Sequence, residues 1–372
     1  MKFVVNMALR LAYPFNTDIA KGLGVSLDRV GRVQGIGELT GLVSAGIGHQ
    51  LDRGLFRRWV VIGVAAAGFG SLAMGLGGRL WVFGVCFALV AGGVAVMTTA
   101  AQTWIGATVP YTERGRVIGI YEASWAVALL VGAPVAGVLI DRGSWWWPFA
   151  GIGVVALALV PFVRSSMNVP RAASPGSAGQ APHPQRPPRV RWTRPVVLAI
   201  ATSSLLTLGA VVVFASYGAF LKDEHRFTTA KLSALTLGLG VVELVGSGSI
   251  AAFSDRIGKR RSVAFGSSLM AVCALVLMTA RSSTPVSAAA IVVFFGAFEF
   301  GYVAQISVNS EVGGDARGRV MAINGGIVTI GRAVGAALGT WLYVRSGIVA
   351  VSMVSVVCAT MAVVAAMTTD DR

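Results

Sequence analysis

Charged residues are scarce in this chain of 372 residues: 13% are Asp, Glu, Lys or Arg, whereas 55% are apolar. A soluble globular domain averages about 25% charged and about 45–50% apolar residues. The composition therefore disfavours a water-soluble enzyme, a disordered chain and a nucleic-acid-binding domain. The net charge of +15 does not change this interpretation, because the positive residues lie in short loops between apolar runs.

Residues and motifs for metal binding and catalysis are also missing from the sequence. Three cysteines (Cys86, Cys273 and Cys358) cannot form a disulfide framework, and the three histidines lack metal-ligand spacing. No Gly-x-x-x-x-Gly-Lys-Ser/Thr phosphate loop occurs, which excludes ATP hydrolysis as the energy source. We predict no enzymatic activity, no cofactor and no metal.

Long apolar runs are what the sequence does contain. A membrane-spanning helix needs about 20 mostly apolar residues, and backbone groups inside lipid must be hydrogen-bonded within their own segment. We therefore predict an all-α membrane protein with twelve transmembrane helices. The predicted spans are 3–17, 33–51, 59–77, 80–110, 117–140, 144–163, 196–221, 232–253, 262–280, 285–310, 320–344 and 346–367.

The first predicted span is short, because the polar stretch Asn16-Thr17-Asp18 follows after about 15 residues. Asn6 and Arg10 also lie within it. Three interpretations are open: a truncated first helix, an intact but short helix, and a signal peptide. The signal peptide is the least favoured, because no small-residue cleavage site follows and Arg10 interrupts the apolar core.

The distribution of basic residues predicts the orientation. With the N-terminus inside, 19 of the 31 Lys and Arg residues fall in inner segments and 10 in outer segments, while Arg10 and Arg332 lie within spans. Cytoplasmic loops of membrane proteins carry the excess of positive charge. We therefore place both termini in the cytoplasm and the protein in the cytoplasmic (inner) membrane, as a monomer in contact with the lipid bilayer.

The chain is predicted to consist of two related halves. Residues 164–195, rich in Pro, Ser, Ala and Arg, are typical of a flexible cytoplasmic linker between bundles 1–163 and 196–372. Motifs of the first half recur 203 residues later, and because six spans is an even number the repeat is parallel. The recurring motifs are Asp52-Arg53 with Asp255-Arg256, Arg114-Gly115-Arg116-Val117 with Arg317-Gly318-Arg319-Val320, and Gly132 with Gly335.

The loop between the second and third spans carries a family resemblance. Its sequence, Gly48-His49-Gln50-Leu51-Asp52-Arg53-Gly54-Leu55-Phe56-Arg57-Arg58, is similar to the major facilitator signature Gly-x-x-x-Asp-Arg-x-x-x-Arg-Arg. His49, Leu55 and Phe56 depart from the usual pattern, and the second copy at 255–261 is closer to it. With twelve spans and a basic linker, essentially the whole chain resembles the major facilitator superfamily.

Within that superfamily the chain resembles bacterial drug or sugar efflux permeases of the drug:proton antiporter type. The residues that carry this resemblance are Tyr13-Pro14-Phe15, Gly22-Leu23-Gly24-Val25, Glu122-x-x-Trp125 and Phe298-Glu299-Phe300. Gly132, Pro134 and Gly137 resemble the exporter motif Gly-x-x-x-Gly-Pro-x-x-Gly-Gly, although Leu129, Ala133 and Val138 replace three of its glycines. A packing kink without functional meaning is the alternative at this position.

The resemblance implies roles for the signature residues. Asp52 with Arg53, and Asp255 with Arg256, would form a cytoplasmic latch that holds the outward-open state, and a carboxylate near a helix N-terminus is favoured there by the helix dipole. Charges that only fix the loop geometry are the alternative. The other members of the gating signature are Arg57, Arg58, Lys259 and Arg260.

Six ionisable residues lie within the predicted spans: Arg10, Glu38, Glu122, Glu243, Glu299 and Arg332. Each charge costs about 2.5–3.5 kcal/mol at a helix centre, so each should face the protein interior or a wet cavity. We expect Arg10 to pair with Glu38 or Glu122, and Arg332 to pair with Glu299. Two acids would remain unpaired and available for protons, and Glu122 and Glu38 are the first choices as proton carriers.

Aromatic and amide side chains of the spans are candidates for a solute cavity, and aromatic rings suit an apolar or cationic solute. Packing within a bundle is the alternative for each of them. The candidates are Gln102, Trp104, Tyr121, Trp125, Phe214, Tyr217, Phe220, Tyr302, Gln305 and Asn324.

The sequence therefore predicts a secondary transporter that binds a small-molecule solute and protons and has no nucleic-acid partner. We expect proton-coupled efflux of an amphipathic solute by alternating access. Proton-linked uptake of a sugar or organic acid is one alternative. A membrane receptor or assembly partner that transports nothing is the other.

Overall fold

The computed structural model describes residues 1–109, 111–167 and 190–368, and all regular secondary structure in these ranges is helical. The predicted all-α class is confirmed. Most of the predicted linker 164–195, namely residues 168–189, lies outside the described residues. The division into two six-helix bundles therefore remains a prediction.

Helices before residue 168 form what we call the N-terminal set. They are α1 (Lys2–Arg10), α2 (Asn16–Leu23), α3 (Leu27–Glu38), the 3₁₀ helix η1 (Leu39–Leu42), α4 (Val43–Gly46), α5 (Gly48–Asp52), α6 (Phe56–Ala73), α7 (Leu80–Thr108), α8 (Tyr111–Arg142) and α9 (Trp147–Ser166). Helices after residue 189 form the C-terminal set. They are α10 (Arg194–Phe214), α11 (Tyr217–Asp223), α12 (Thr229–Ile257), α13 (Lys259–Thr279), α14 (Thr284–Val312), the 3₁₀ helix η2 (Gly314–Ala316) and α15 (Arg317–Met367).

Nine helices of the described part are long and apolar enough to cross a membrane. One of them, Gly318–Met367, has 50 residues, far more than the roughly 20 that one crossing needs. Gly347 interrupts it with a φ of 68°, a value that glycine adopts without steric cost, so α15 consists of two helices joined at a kink. The count of twelve spans remains a prediction, because α1–α2 and α3–α5 are interrupted segments.

The first predicted span ends in the wrong place. Pro14 lies in the turn between α1 and α2, and the polar residues from Asn16 begin a second helix that continues to Leu23. Asn16, the first of these polar residues, is tolerated there because it has partners inside the protein. Asn16 is 1% exposed and donates a hydrogen bond from Nδ2 to the Ala215 carbonyl, 3.0 Å away.

A matching break occurs in the C-terminal set. Ala215 and Ser216 separate α10 from α11 and follow Ala12 and Tyr13 by 203 residues, the offset of the sequence repeats. The two breaks meet, because Asn16 bonds the carbonyl of Ala215 and is itself held by Gln34, whose Nε2 lies 2.8 Å from Asn16 Oδ1. Non-helical backbone at membrane depth is accordingly buried and hydrogen-bonded.

The two sets pack together through α3 on α15, α8 on α12 and α2 on α11. Glycines allow close approach along these seams: a Cβ added to Gly35 would lie 2.5 Å from the Ala333 carbonyl oxygen, and one added to Gly240 would lie 2.8 Å from Leu130 N. Beside α2 and α11, Lys222 Nζ lies 2.6 Å from a carboxylate oxygen of Asp18. We call this end of the molecule the closed end.

At the opposite end the glycines of the described residues have fewer close neighbours. A Cβ added to Gly326 of α15 would lie 3.7 Å from the Leu42 side chain. A Cβ added to Gly46, Gly48 or Gly325 would meet open space. We call this the open end, and the turns that carry both signature loops lie there.

A glycine substitution tests the close packing. Gly35→Leu should force α3 from α15 and lower the free energy of unfolding by about 1–3 kcal/mol, as overpacking does. The measurement is the thermal unfolding midpoint of the purified protein in detergent. Gly46→Leu, on the same segment but facing open space, is the matched control. Equal melting of the two variants would contradict the packing described here.

Candidate functional site

The centre of the interface contains an ion pair between α1 and α12. Arg10 donates from Nη1 and Nη2 to the two carboxylate oxygens of Glu243, at 2.7 and 2.6 Å. The side chains are 8% and 2% exposed. Arg10 also donates to the Trp125 carbonyl at 2.7 Å. This bidentate geometry, with two parallel N–H···O hydrogen bonds, is the strongest form of an arginine–carboxylate contact.

A second ion pair joins the sets, with the cation now from the C-terminal set and the acid from the N-terminal set. Arg332, on α15, lies 2.9 and 2.8 Å from the two carboxylate oxygens of Glu38, at the end of α3. The Tyr13 hydroxyl, in the break after α1, donates to the same carboxylate at 2.7 Å. Each set therefore supplies a cation to a buried acid of the other set.

The pairs expected from the sequence are wrong. Arg10 was expected to bind Glu38 or Glu122 within its own half, and Arg332 to bind Glu299. The partners are exchanged because α3 faces α15 and α1 lies beside the α8–α12 seam, and these contacts join residues more than 230 positions apart. Distance along the chain is no guide to which helix faces cross the interface.

Glu122 also has a cation, which lies one residue before the first predicted span. Lys2 Nζ lies 2.8 Å from Glu122 Oε2, and Gln102 donates to Oε1 at 2.8 Å. Lys2 is 5% exposed, whereas Glu122 is 48% exposed. Two unpaired acids were expected from the sequence, but among the described span residues only one glutamate lacks a cation.

That acid is Glu299, on α14. Among the described residues it is the one membrane-span glutamate without a salt bridge, and the Ser247 hydroxyl donates a hydrogen bond to its Oε1 at 2.6 Å. Glu243, Arg10 and Glu122 all lie within electrostatic range of it. Glu299 is half-buried and has no directly paired cation among the described residues.

Two of the predicted cavity aromatics contact this charged cluster. The Arg10 guanidinium carbon lies 4.7 Å from the centre of the Trp125 ring, and that of Arg332 lies 5.9 Å from the same ring. Lys2 Nζ lies 3.9 Å from the centre of the Tyr121 ring. These distances are within the range of cation–π attraction.

Other cavity candidates form an aromatic cluster in the C-terminal set. Phe214 stacks on Phe295 with ring centres 3.8 Å apart and meets Phe298 edge-on. Tyr302 stacks on Phe298 at 5.4 Å. Both Phe214 and Tyr302 are half-buried, so each has surface left for a solute.

Three candidates are packed within the C-terminal set, which corrects their place in the predicted cavity. Tyr217 and Phe220 are at most 1% exposed, and Gln305, 2% exposed, donates to the Ala199 carbonyl. They leave no surface for a solute in this conformation.

Trp104 is half-buried, and Asn324 is 4% exposed. Trp104 Nε1 and Asn324 Oδ1 have no hydrogen-bond partner among the described residues. Their role in a cavity stays a prediction.

The residues of the gating signature lie at the open end. Arg53, Arg57 and Arg58 are exposed, Lys259 pairs with Glu311 inside the C-terminal set, and Arg260 is half-buried. The side chains of Asp52, Asp255 and Arg256 lie outside the described part, so the latch between them stays a prediction.

The predicted kink lies within α8, which contains Pro134. A Cβ added to Gly132 would lie 3.0 Å from the Met7 side chain of α1, and one added to Gly137 would overlap Ser233 of α12. Gly132 and Gly137 therefore allow α8 to contact one helix of each set.

Sequence reasoning missed one face of α1. Lys2, Asn6, Arg10 and Tyr13 are spaced by four, four and three residues, which places them on one side of a helical segment. Three of them contact glutamates of the site. That spacing was the available signal, and the closeness of Lys2 to the N-terminus concealed it.

Comparison with known proteins agrees with this architecture. The family model for the Major Facilitator Superfamily matches residues 1–312 and 250–372. The uncharacterised MFS-type transporter YwfA of Bacillus subtilis is 27% identical over 77% of this chain and 69% of its own length. YceJ of the same organism is 23% identical over 70% of this chain and 66% of its own. The chain thus spans about two thirds of the length of these relatives.

A solved structure shares the fold. It is a bacterial homologue of the human lysosomal transporter Spinster, in an inward-facing and unoccupied conformation, with a TM-score of 0.76 and 14% identity, covering 98% of this chain and 94% of that one. The chain belongs to the Major Facilitator Superfamily, and its family is one of transporters rather than enzymes.

The Arg10–Glu243 pair can be tested through stability. Arg10→Gln leaves Glu243 buried without its cation and should destabilise the protein by about 3–5 kcal/mol. Adding Glu243→Gln should restore most of the loss, because no charge is then left unpaired. The measurement is the thermal unfolding midpoint in detergent, with the exposed Arg164→Gln as control. A double variant no more stable than Arg10→Gln would contradict the assignment.

Proposed function

We propose that this member of the Major Facilitator Superfamily is a proton-coupled exporter of small amphipathic solutes. It works by alternating access between bundles 1–163 and 196–372, with the solute bound between them. The observation that carries the proposal is the charge balance of the interface: among the described residues, Lys2, Arg10 and Arg332 each pair with an acid, and the carboxyl of Glu299 is left over.

The same balance favours one kind of cargo. Lys2, Arg10 and Arg332 each lie within 2.9 Å of a glutamate, so an anionic solute would have to compete with a carboxylate for its cation. A proton, a neutral solute or a cationic solute needs no such exchange. Half-buried Trp125, Tyr121 and Tyr302 add apolar ring surface of the kind that amphipathic solutes bind.

Uptake of an organic acid is the second candidate, and a relative favours it. The cis,cis-muconate transport protein of Acinetobacter baylyi is 25% identical over 61% of this chain. The multidrug resistance protein Stp of Mycobacterium tuberculosis is 30% identical over a shorter region, 24% of this chain. The interface charges support a neutral or cationic solute over an organic acid, since each cation of the site among the described residues already has a carboxylate partner.

The basic loops supply the orientation. With both termini in the cytoplasm, the signature loops and the open end face the cytoplasm. The described conformation then corresponds to a carrier that is open inward, with Asp18–Lys222 and the two broken helices closing the outer side.

Flux in reconstituted vesicles tests the direction of transport. Purified protein in liposomes with an imposed pH gradient should move ethidium, an amphipathic cation, opposite to the protons. Vesicles without protein are the control. Movement of cis,cis-muconate together with protons, with no flux of ethidium, would replace the proposal by organic-acid uptake. An absence of gradient-driven flux for both solutes would favour a receptor.

Glu299→Gln tests the proton site. The amide cannot take up and release a proton, so gradient-driven transport should fall to background while solute exchange without a gradient continues. Glu113→Gln, an exposed position on α8, is the matched control. Glu122→Gln and Glu38→Gln, made in parallel, examine the two acids first chosen from the sequence. Driven transport that survives in Glu299→Gln would show that the coupling site lies elsewhere.

A further inference from the structure

One indole ring lies beside the cations of both interface ion pairs. Trp125, half-buried on α8, has Arg10 over its ring at 4.7 Å and accepts a hydrogen bond from Arg10 on its carbonyl at 2.7 Å. Arg332 approaches the same ring at 5.9 Å. Arg10 binds an acid of the C-terminal set and Arg332 binds an acid of the N-terminal set.

Two guanidinium groups beside one ring influence each other. They carry like charges, so each is stable there only while its own carboxylate and the negative face of the ring compensate the repulsion. When one pair breaks, its guanidinium can leave the ring, and the electrostatic surroundings of the other guanidinium change. The ring therefore gives the two pairs a shared contact that neither acid provides.

We propose that Trp125 is a positioning residue that couples the pairs Arg10–Glu243 and Arg332–Glu38, so that they form and break together. The inference rests on the proposed alternating access, in which both pairs must separate when the closed end opens. Coupling makes that opening a single step between two packed arrangements. It also prevents an intermediate in which one pair is broken and leaves an unpaired charge inside the protein at membrane depth.

A double-mutant cycle measures the coupling without solute or gradient. Ser233, 4% exposed at the closed end against Gly137 of α8, is changed to cysteine in a chain whose Cys86, Cys273 and Cys358 are alanine. The rate of maleimide labelling at position 233 in detergent then reports opening of the closed end. Glu38→Gln, Glu243→Gln and the double variant complete the cycle.

If the pairs are coupled, each single substitution also removes the coupling. The double variant should then label more slowly than the product of the two single effects predicts, by about threefold or more. In Trp125→Leu, and in Trp125→Met with its longer ring-free side chain, the single effects should simply multiply. Trp125→Phe keeps an aromatic ring, so in this background the double variant should again label more slowly than the product of the single effects predicts.

Trp341→Leu is the matched control, because Arg345 lies 4.6 Å from the Trp341 ring but both residues belong to α15. Trp341→Leu should leave the difference between the observed and the multiplied labelling rates unchanged. The inference would be overturned if the two single effects on the labelling rate simply multiply when Trp125 is present. It would also be overturned if they fail to multiply when position 125 has no ring. Since the cycle uses neither solute nor protons, absence of flux in vesicles would defeat the proposed function and leave this result standing.

Discussion

The structure depends on the exchange of charges between two sets of helices. A lone charge at membrane depth is costly, and for Glu38 and Glu243 the compensating cation comes from the other set of helices. Glu38 has its cation on α15 and Glu243 has its cation on α1. Neither set can satisfy its own buried acid, so separation of the sets requires something else to neutralise or solvate these groups.

The broken helices follow the same rule for backbone groups. The α10–α11 break frees the Ala215 carbonyl, and an asparagine from the other set supplies its donor. A glutamine on α3 holds that asparagine in place. These hydrogen bonds and the close packing at glycines join the two sets at the closed end. At the open end the described ion pair, Lys259–Glu311, lies within the C-terminal set.

The site, and not the fold, carries the functional argument. A TM-score of 0.76 at 14% identity shows a shared architecture, and one architecture hosts many cargoes. The proposal of proton exchange therefore rests on the unpaired acid Glu299 with its Ser247 partner and on the half-buried rings of the site.

The sequence by itself determined the class of molecule. Long apolar runs with few charges admit only membrane helices, and the signature loops with their 203-residue repeat pointed to the family. It also identified the six ionisable span residues, because a charge inside an apolar run is conspicuous. Tyr121 and Trp125 were predicted as cavity residues because they are aromatic side chains within a span.

Only the tertiary structure decided which of these residues meet. Membrane helices are apolar on most faces, so hydrophobic periodicity does not mark the side that turns to a neighbour. Tyr217 and Gln305 therefore looked equivalent to Trp125 in the sequence, yet they are packed within their own set. The partners of Arg10 and Arg332 were likewise hidden, because an ion pair is fixed by helices that face each other and not by their order along the chain.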